Sequence, residues 1–474
     1  MKYTFTHING FFKNRFFNFI SFYFSVQVLQ TIITFFLLPF ITRFLSPDQL
    51  GIYATCLTFS YFFIIVFFLG VTEVVYFSLL NKDSSKKTIV SSVLYFEIFI
   101  ILLGLLLNFF FLFLVGERTL FNIPFYPYLF FTIIFSLFYI LLNNYNLILQ
   151  ATERLKLYTI LNFSVFLFIN LLSLYLLVFY EFGAMSFIYS YFITYILLGI
   201  FIVFHIFTQF GYSFDKKSLL DALKFSIPLI PHNLAHWTRS NLDKIFLTTL
   251  ASPAHTGIYQ IAISFGNFFN FSIEGFRLIN NPRFFTLIQN QHDNEKKLVS
   301  ILPLSVGFYS IMALLLSLFS YDLISWLFRG PYISSYIFIP LVMVSFLYYL
   351  IYINLVNVLF YLKKTTLVSA ITGTISIFNF FICFILIKQY QIWGATISLL
   401  ISNFLFGILV YLFGKKHNRL KWPIWLSNIL CILPGLSLFP LLYMNFIWFK
   451  IIIFISISTI IFFLIKNHLR NVIT

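Results

Sequence analysis

Apolar runs of about 20 residues, divided by short polar breaks, follow one another along nearly the whole chain. That is the length a helix needs to cross a hydrocarbon layer roughly 30 Å thick. The alternation predicts helices near 16–41, 50–79, 89–115, 125–149, 158–180, 184–207, 225–250, 257–282, 298–320, 335–361, 366–387, 392–413, 422–443 and 446–465. The first run follows Lys13 and Arg15 but is too long for a signal peptide and has no small-x-small cleavage site, so it reads as a spanning helix. The expected fold class is an all-α integral membrane protein of about 14 transmembrane helices, with no stretch left for a soluble domain.

The pattern also repeats. Ser46-Pro47-x-x-x-Gly51-Ile52-Tyr53 returns 206 positions later as Ser252-Pro253-x-x-x-Gly257-Ile258-Tyr259. Thr42, Phe59, Phe62 and Phe63 recur at that offset as Thr248, Phe265, Phe268 and Phe269. Asn146, Gly183 and Ala184 are echoed at an offset of 211 by Asn357, Gly394 and Ala395. The offset spans six predicted helices, an even number, so both copies enter the membrane from the same side and are parallel repeats. The expected organisation is an N-lobe over 1–211, a C-lobe over 212–421, and an appendage of two further helices over 422–474. Locally the motif is a helix start: Ser46 caps, Pro47 occupies the first turn and Gln49 completes a capping box. Gly51 and Gly257 present no side chain, which lets a neighbouring helix come close.

Composition agrees with a lipid solvent: 61% of residues are hydrophobic and 9% charged, with a mean hydropathy of +0.96. The net charge of +16 is an orientation signal. Of the 30 Lys and Arg, 22 fall in the breaks on one side, three lie within helices, and only Arg43, Arg118, Arg329, Lys388 and Lys450 fall on the other side. The positive-inside rule then places both termini in the cytoplasm, and nucleic-acid binding is not needed to explain the charge. Cys56, Cys383 and Cys431 all sit in apolar runs and read as small buried residues rather than disulfide partners or metal ligands. The 70 Phe, together with abundant Ile, Asn, Tyr and Lys, match AT-rich codons better than an aromatic binding site.

Two adjacent predicted helices break the apolar pattern with polar faces. The seventh carries Pro228 and Pro231, then His232, His236, Arg239 and Asp243 at i, i+4, i+7 and i+11. The eighth carries Asn267, Asn270, Glu274, Arg277 and Asn281 at i, i+3, i+7, i+10 and i+14. Exposed to lipid, Arg239, Asp243, Lys244, Glu274 and Arg277 would together cost roughly 12 to 17 kcal/mol. They therefore either line a water-filled cavity or neutralise themselves as the intrahelical pairs Arg239–Asp243 and Glu274–Arg277. His232 and His236 have the spacing of metal ligands but no evident third ligand; a proton-sensing role and a plain structural one stay open, and no metal is expected. The proline pair is expected to kink or loosen the seventh helix. In the first half, Gln27, Gln30, Thr31 and Thr34 form a polar face on the first helix. Glu73 and Glu97 fall toward the cytoplasmic interface, and Asn143, Asn144 and Asn146 cluster near the inner end of the fourth helix. The chain has no G-x-x-x-x-G-K-[ST] loop for ATP and no outer loop longer than about 15 residues, which disfavours an ATPase or a large external catalytic site.

Read in order, these segments resemble the polysaccharide transporters of the O-antigen flippase type, within the multidrug/oligosaccharidyl-lipid/polysaccharide exporter superfamily. The resemblance runs from about Ser25 to Lys416. It rests on Leu37-Leu38-Pro39 with Thr42-Arg43-x-Leu45-Ser46-Pro47-x-x-x-Gly51-Ile52-Tyr53, then Gln150-Ala151-x-Glu153-Arg154, Ser226-Ile227-Pro228-Leu229-Ile230-Pro231, Asp243-Lys244 and Gly257-Ile258-Tyr259. It implies a carrier in the bacterial cytoplasmic (inner) membrane, not an enzyme, that moves an undecaprenyl-diphosphate-linked oligosaccharide such as an O-antigen, lipopolysaccharide or capsule unit to the outer leaflet. No catalytic residue is expected. Arg239 and Arg277 would hold the diphosphate, with Lys244 and Arg15 as helpers and Asn267, Asn270, Gln27 and Gln30 lining the glycan cavity. Asp243, Glu274, His232 and His236 are the candidates for coupling to H⁺ or Na⁺, with the membrane potential as a further drive. The implied partners are the lipid-linked oligosaccharide, the bilayer and other glycan-assembly membrane proteins. An ion-coupled drug exporter of the same superfamily, a membrane glycan polymerase or ligase, and a purely structural membrane protein are the alternatives.

Overall fold

The computed structural model describes residues 11–68, 70–80, 86–289, 291–417, 420–438 and 447–473. Helices α1 (Phe11–Ile41), α2 (Pro47–Phe68), α3 (Val71–Leu80), α4 (Lys86–Val115), α5 (Phe130–Ala151), α6 (Leu155–Phe179) and α7 (Met185–Phe210) open the chain. A short antiparallel hairpin, Thr119–Leu120 with Ile123–Pro124, joins α4 to α5. Then come α8 (Lys216–Ser226), α9 (Ile230–Leu250), α10 (Pro253–Gln289), α11 (Gln291–Leu318), α12 (Ser320–Leu327), α13 (Ile339–Tyr361), α14 (Thr365–His417), α15 (Ile424–Ile432) and α16 (Ile447–Ile473).

Among the described residues, nine helices are long and apolar enough to cross a membrane. One of them, α14, has 53 residues and breaks at Gln391, whose φ is 51°. Helices α9 and α10 are not among the nine, because the polar residues that set them apart also dilute their hydropathy. The chain is a predominantly helical, multi-pass membrane protein, though length and composition alone do not reach the expected fourteen spans.

Three predicted segments differ in detail. The second predicted helix, 50–79, is α2 followed by α3, and Gly70 between them takes a φ of +66°, which a residue with a side chain rarely adopts. The seventh is preceded by a separate α8, and Ile227–Leu229 forms a single 3₁₀ turn where Pro228 removes a backbone donor. Asp215 starts α8 by accepting hydrogen bonds from the backbone N–H groups of Lys217 and Ser218. The thirteenth is α15 plus the 3₁₀ turn Leu433–Ser437, and its predicted end at 439–443 lies outside the described residues.

The chain divides into two compact units: residues 1–45 with 55–234, and residues 46–54 with 235–474. In the first, α5 is the buried centre; Leu137, Ile140, Leu141 and Ile148 are shielded as α3, α4, α6 and α7 pack around it. Asn146 of α5 and Asn162 of α6 exchange side-chain hydrogen bonds at 3.2 and 2.9 Å. In the second, α13 is the centre, packed by α10, α11, α14 and α15. Here Asn357, the repeat counterpart of Asn146, donates to Asn281 of α10 at 2.9 Å. Helix α16 lies against α11, and its buried Lys450 reaches Asp322 of α12 at 2.6 Å.

Inside the second unit the duplicated motif meets its own copy. Ser46 N–H donates to Gln49 Oε1 at 3.4 Å and Gln49 N–H to Ser46 Oγ at 3.3 Å, so the capping box forms as expected. His255 takes the place of Gln49 in the second copy, with its Nδ1 2.6 Å from Ser252 Oγ. A methyl group on Gly51 would land on the Pro253 carbonyl, and one on Gly257 would land on the Pro47 carbonyl. Each glycine thus clears space for the first turn of the other copy, which is why the spacing Pro-x-x-x-Gly is duplicated as a unit.

Overpacking a contact this close costs about 1–3 kcal/mol, so Gly51→Ala and Gly257→Ala should each lower the thermal unfolding midpoint measured in detergent. Because the two changes strike one contact, the double variant should fall short of additivity. A separate outcome concerns Asp215, whose carboxyl is held below the usual aspartate range by hydrogen bonds from the Ser218 hydroxyl and then from the Ser218 and Lys217 amides. A lowered native value means the cap is fully present above the ordinary aspartate pKa and is lost as pH falls through the native one. Hydrogen exchange at the amides of Lys217 and Ser218 should quicken, relative to the rest of α8, over that acidic interval and in Asp215→Ala.

Candidate functional site

Arg239 and Asp243 of α9 and the polar stripe of α10 lie in the second unit, where α9 and α10 meet α13 and α14. Arg239, half-buried on α9, places its guanidinium carbon 5.7 Å from the ring centre of Tyr349 and 5.1 Å from that of Phe406. A planar cation over aromatic faces is stabilised without a counter-charge. Tyr349 stacks on Tyr352 at 5.8 Å, and Tyr352 meets Phe406 edge-on at 5.0 Å. Arg239 is therefore held by aromatic rings, and among the described residues it forms no ion pair; the alternative pairing Arg239–Asp243 is not made.

The second alternative pair is made. Arg277 Nε lies 2.7 Å from Glu274 Oε2 one turn earlier on α10, with the side chains 45% and 29% exposed. The Tyr349 hydroxyl donates to the other Glu274 oxygen at 3.5 Å, a long bond that links this pair to the ring that also carries Arg239. Arg239 lies over Tyr349, and Arg277 joins the same residue through Glu274. Two guanidinium groups thus flank one aromatic step, and one carboxylate partly offsets them. The patch keeps an excess of positive charge.

Asp243 is occupied elsewhere. Its Oδ2 accepts from the Tyr259 hydroxyl at 2.5 Å and its Oδ1 from the Lys244 backbone N–H at 2.9 Å. Tyr259 is the fully buried final residue of the second motif copy, so this bond ties α9 to α10. Lys244 is half-buried beside Asp243. Asn267 is exposed on α10, while Asn270 is half-buried with its Oδ1 shielded and unpartnered.

In the first unit, Gln27 is exposed and Gln30 half-buried on α1, and their backbone carbonyls accept from the Thr31 and Thr34 hydroxyls. The side chains of Arg15, Glu73, His232 and His236 lie outside the described residues. Among the described residues no group of three or more His, Cys, Asp or Glu could hold a metal ion. The three cysteines are buried and free.

The aromatic members Tyr349, Tyr352 and Phe406 escaped the sequence reading. They lie on α13 and α14, far along the chain, in a protein where 22% of residues are aromatic, so nothing local marks them.

The fold defines a class of multi-pass helical membrane proteins. The fold is similar to that of a lipid II flippase, MurJ, in an inward closed conformation, with a TM-score of 0.71 and 17% identity over 97% of this chain and 99% of that one. It is also similar to an inward-facing multidrug resistance MATE family transporter of the MOP superfamily, with a TM-score of 0.60 and 12% identity over 82% of this chain and 94% of that one. Residues 18–273 match the family described as polysaccharide biosynthesis protein, and the chain belongs to that family. A curated relative, the Lsg locus putative protein 1 of Haemophilus influenzae, is 22% identical over 161 residues; the match covers 34% of this chain and spans 40% of the relative's length.

Replacing Arg239 by Lys keeps the charge but removes the flat guanidinium that rests on Tyr349 and Phe406. The loss should be about 1 kcal/mol, read as a lower unfolding midpoint in detergent, while Arg277→Lys, at an exposed position, should leave the midpoint nearly unchanged.

Proposed function

We propose that the protein carries a polyprenyl-diphosphate-linked oligosaccharide from the inner to the outer leaflet of the bacterial cytoplasmic membrane by alternating access. The observation that carries this reading is the pair Arg239 and Arg277 around Tyr349 and Tyr352, with only one of the two arginines matched by a carboxylate. Guanidinium groups bind phosphate oxygens in pairs, and a diphosphate cannot cross hydrocarbon unaided. Membership of the polysaccharide biosynthesis family and similarity in fold to a lipid II flippase support a lipid-linked glycan as cargo.

In this reading 1–211 and 212–421 are the two lobes, with 422–474 appended and both termini cytoplasmic. Lys244 and Arg15 assist the arginines, while Asn267, Asn270, Gln27 and Gln30 meet the glycan. The lipid tail stays in the bilayer, and no bond is made or broken. Moving about two negative charges outward across roughly 100 mV, inside negative, releases up to about 4.6 kcal/mol. Resetting the empty cationic site is the uphill step, and H⁺ or Na⁺ held at Asp243, Glu274, His232 or His236 would drive it. Other glycan-assembly membrane proteins would supply the cargo and receive it.

The test is movement of a fluorescent undecaprenyl-diphosphate oligosaccharide across liposomes containing the purified protein, under an imposed potential. Fast movement in wild type, reduced at least tenfold in Arg277→Ala and in Arg239→Ala, is the expected result. No movement in wild type, with export of amphiphilic cations from the same liposomes, would favour a drug exporter instead.

A further inference from the structure

Helices α4 and α5 of the first unit bury a carboxyl group that no cation neutralises among the described residues. Glu97 is 3% exposed, and its Oε2 accepts from Asn144 Nδ2 at 2.9 Å. Its other oxygen, Oε1, is shielded and has no hydrogen-bond partner. The amide oxygen of Asn144, itself fully buried, has none either. Two buried acceptors are thus left over by one residue pair, where buried polar groups are normally satisfied.

The chemistry of the two groups says what is missing. A primary amide and a carboxylic acid have complementary edges, each with one donor and one acceptor, and they close a ring of two hydrogen bonds. An ionised carboxylate has acceptors only and can make half of that ring. The half that is present is the amide N–H to Oε2. The missing half needs a hydrogen on Oε1.

We propose that Glu97 and Asn144 are a proton-binding site inside the first unit, whose occupied state is the neutral acid donating from Oε1 to Asn144 Oδ1. One O–H bond forms at Oε1 when a proton arrives from water, and it breaks when α4 and α5 separate enough to hydrate the carboxylate. A sodium ion is a poor substitute, because hard cations gather about six oxygens and this pair has two to spare.

Among the described residues the surroundings supply no other partner. Helix α3 carries Glu73 and Tyr76, and α8 carries Lys216, Lys217, Asp221 and Lys224. Helix α5 carries Tyr139 and Tyr145, and α7 carries His205 with Tyr189, Tyr191 and Tyr195. The turn before α5 adds Tyr126 and Tyr128, and α4 itself has Lys86, Lys87 and Tyr95. Among those whose side chains are described, which leaves out Glu73 and Lys86, none forms an ion pair with Glu97. The nearest titratable ring to the pair along α5, Tyr145, packs edge-on against His205 at 5.6 Å.

The site is separate from the arginine patch, since it lies in the unit that does not contain Arg239 and Arg277. It provides that unit with a proton to release and recapture.

Infrared difference spectroscopy of the full chain in liposomes tests it. The expected result is a protonated-carboxyl C=O band at neutral pH that disappears in Glu97→Gln, a variant that can make the same two bonds as an amide pair and should fold. In Asn144→Ala the band should persist and move to higher frequency as its hydrogen-bond partner is lost. A wild-type spectrum indistinguishable from that of Glu97→Gln in this region would overturn the proposal. So would a band that ignores Asn144→Ala, or one that fades as sodium is added at fixed pH.

Discussion

Hydrocarbon cannot solvate a charge, and that constraint organises the polar residues of this chain. At the centre of a bilayer an ionised side chain costs about 2.5–3.5 kcal/mol, so each one must find its partner within the protein or stand in trapped water. The described spans meet this requirement in different ways. Lys450 pairs with Asp322, which joins the last helix to α12. Asp243 takes a hydroxyl from Tyr259, and Arg277 takes a carboxylate from Glu274. Arg239 is the exception, since it rests on aromatic faces and forms no ion pair among the described residues. A cation stabilised by quadrupoles rather than by an anion keeps its capacity to bind one.

The duplicated motif shows the same economy in the backbone. Its serine and proline start a helix, its glycine admits the opposing copy, and in the second copy its tyrosine secures Asp243. One eight-residue pattern thus begins α2 and α10, brings their first turns together and fixes a polar side chain on α9. Parallel roles recur deeper in each unit, where Asn146 and Asn357 both pair with another asparagine. The partners differ, Asn162 on α6 for one and Asn281 on α10 for the other, so the residue was kept while its contact changed.

Much of this was legible in the chain. Capping at Ser46 and Gln49 is local and came through intact, as did the loosening at Pro228 and the break at Gln391, because these follow from neighbouring residues alone. The polar stripes on α9 and α10 were visible from helical spacing. Their partners were not: Arg239 could be paired with Asp243 by spacing, yet tertiary packing gave Asp243 to Tyr259 and Arg239 to Tyr349 and Phe406. Nothing in a sequence this rich in aromatics singles those rings out. Helix α8 was missed for the opposite reason, since its short polar run resembles a loop until Asp215 is seen capping it. Asn144, read as one of a cluster at a helix end, turned out to be the sole hydrogen-bond donor to Glu97 among the described residues.

The central claim is that the arginines of α9 and α10 line an aqueous anion site. Cysteine introduced singly at 239 and at 277, in the full chain in membrane vesicles, reports this directly, because Cys56, Cys383 and Cys431 are buried and give a low background. Reaction with a charged maleimide at both positions, slowed by an added short-chain polyprenyl diphosphate, is the expected result. Inert positions, or reaction that the diphosphate does not slow, would contradict it.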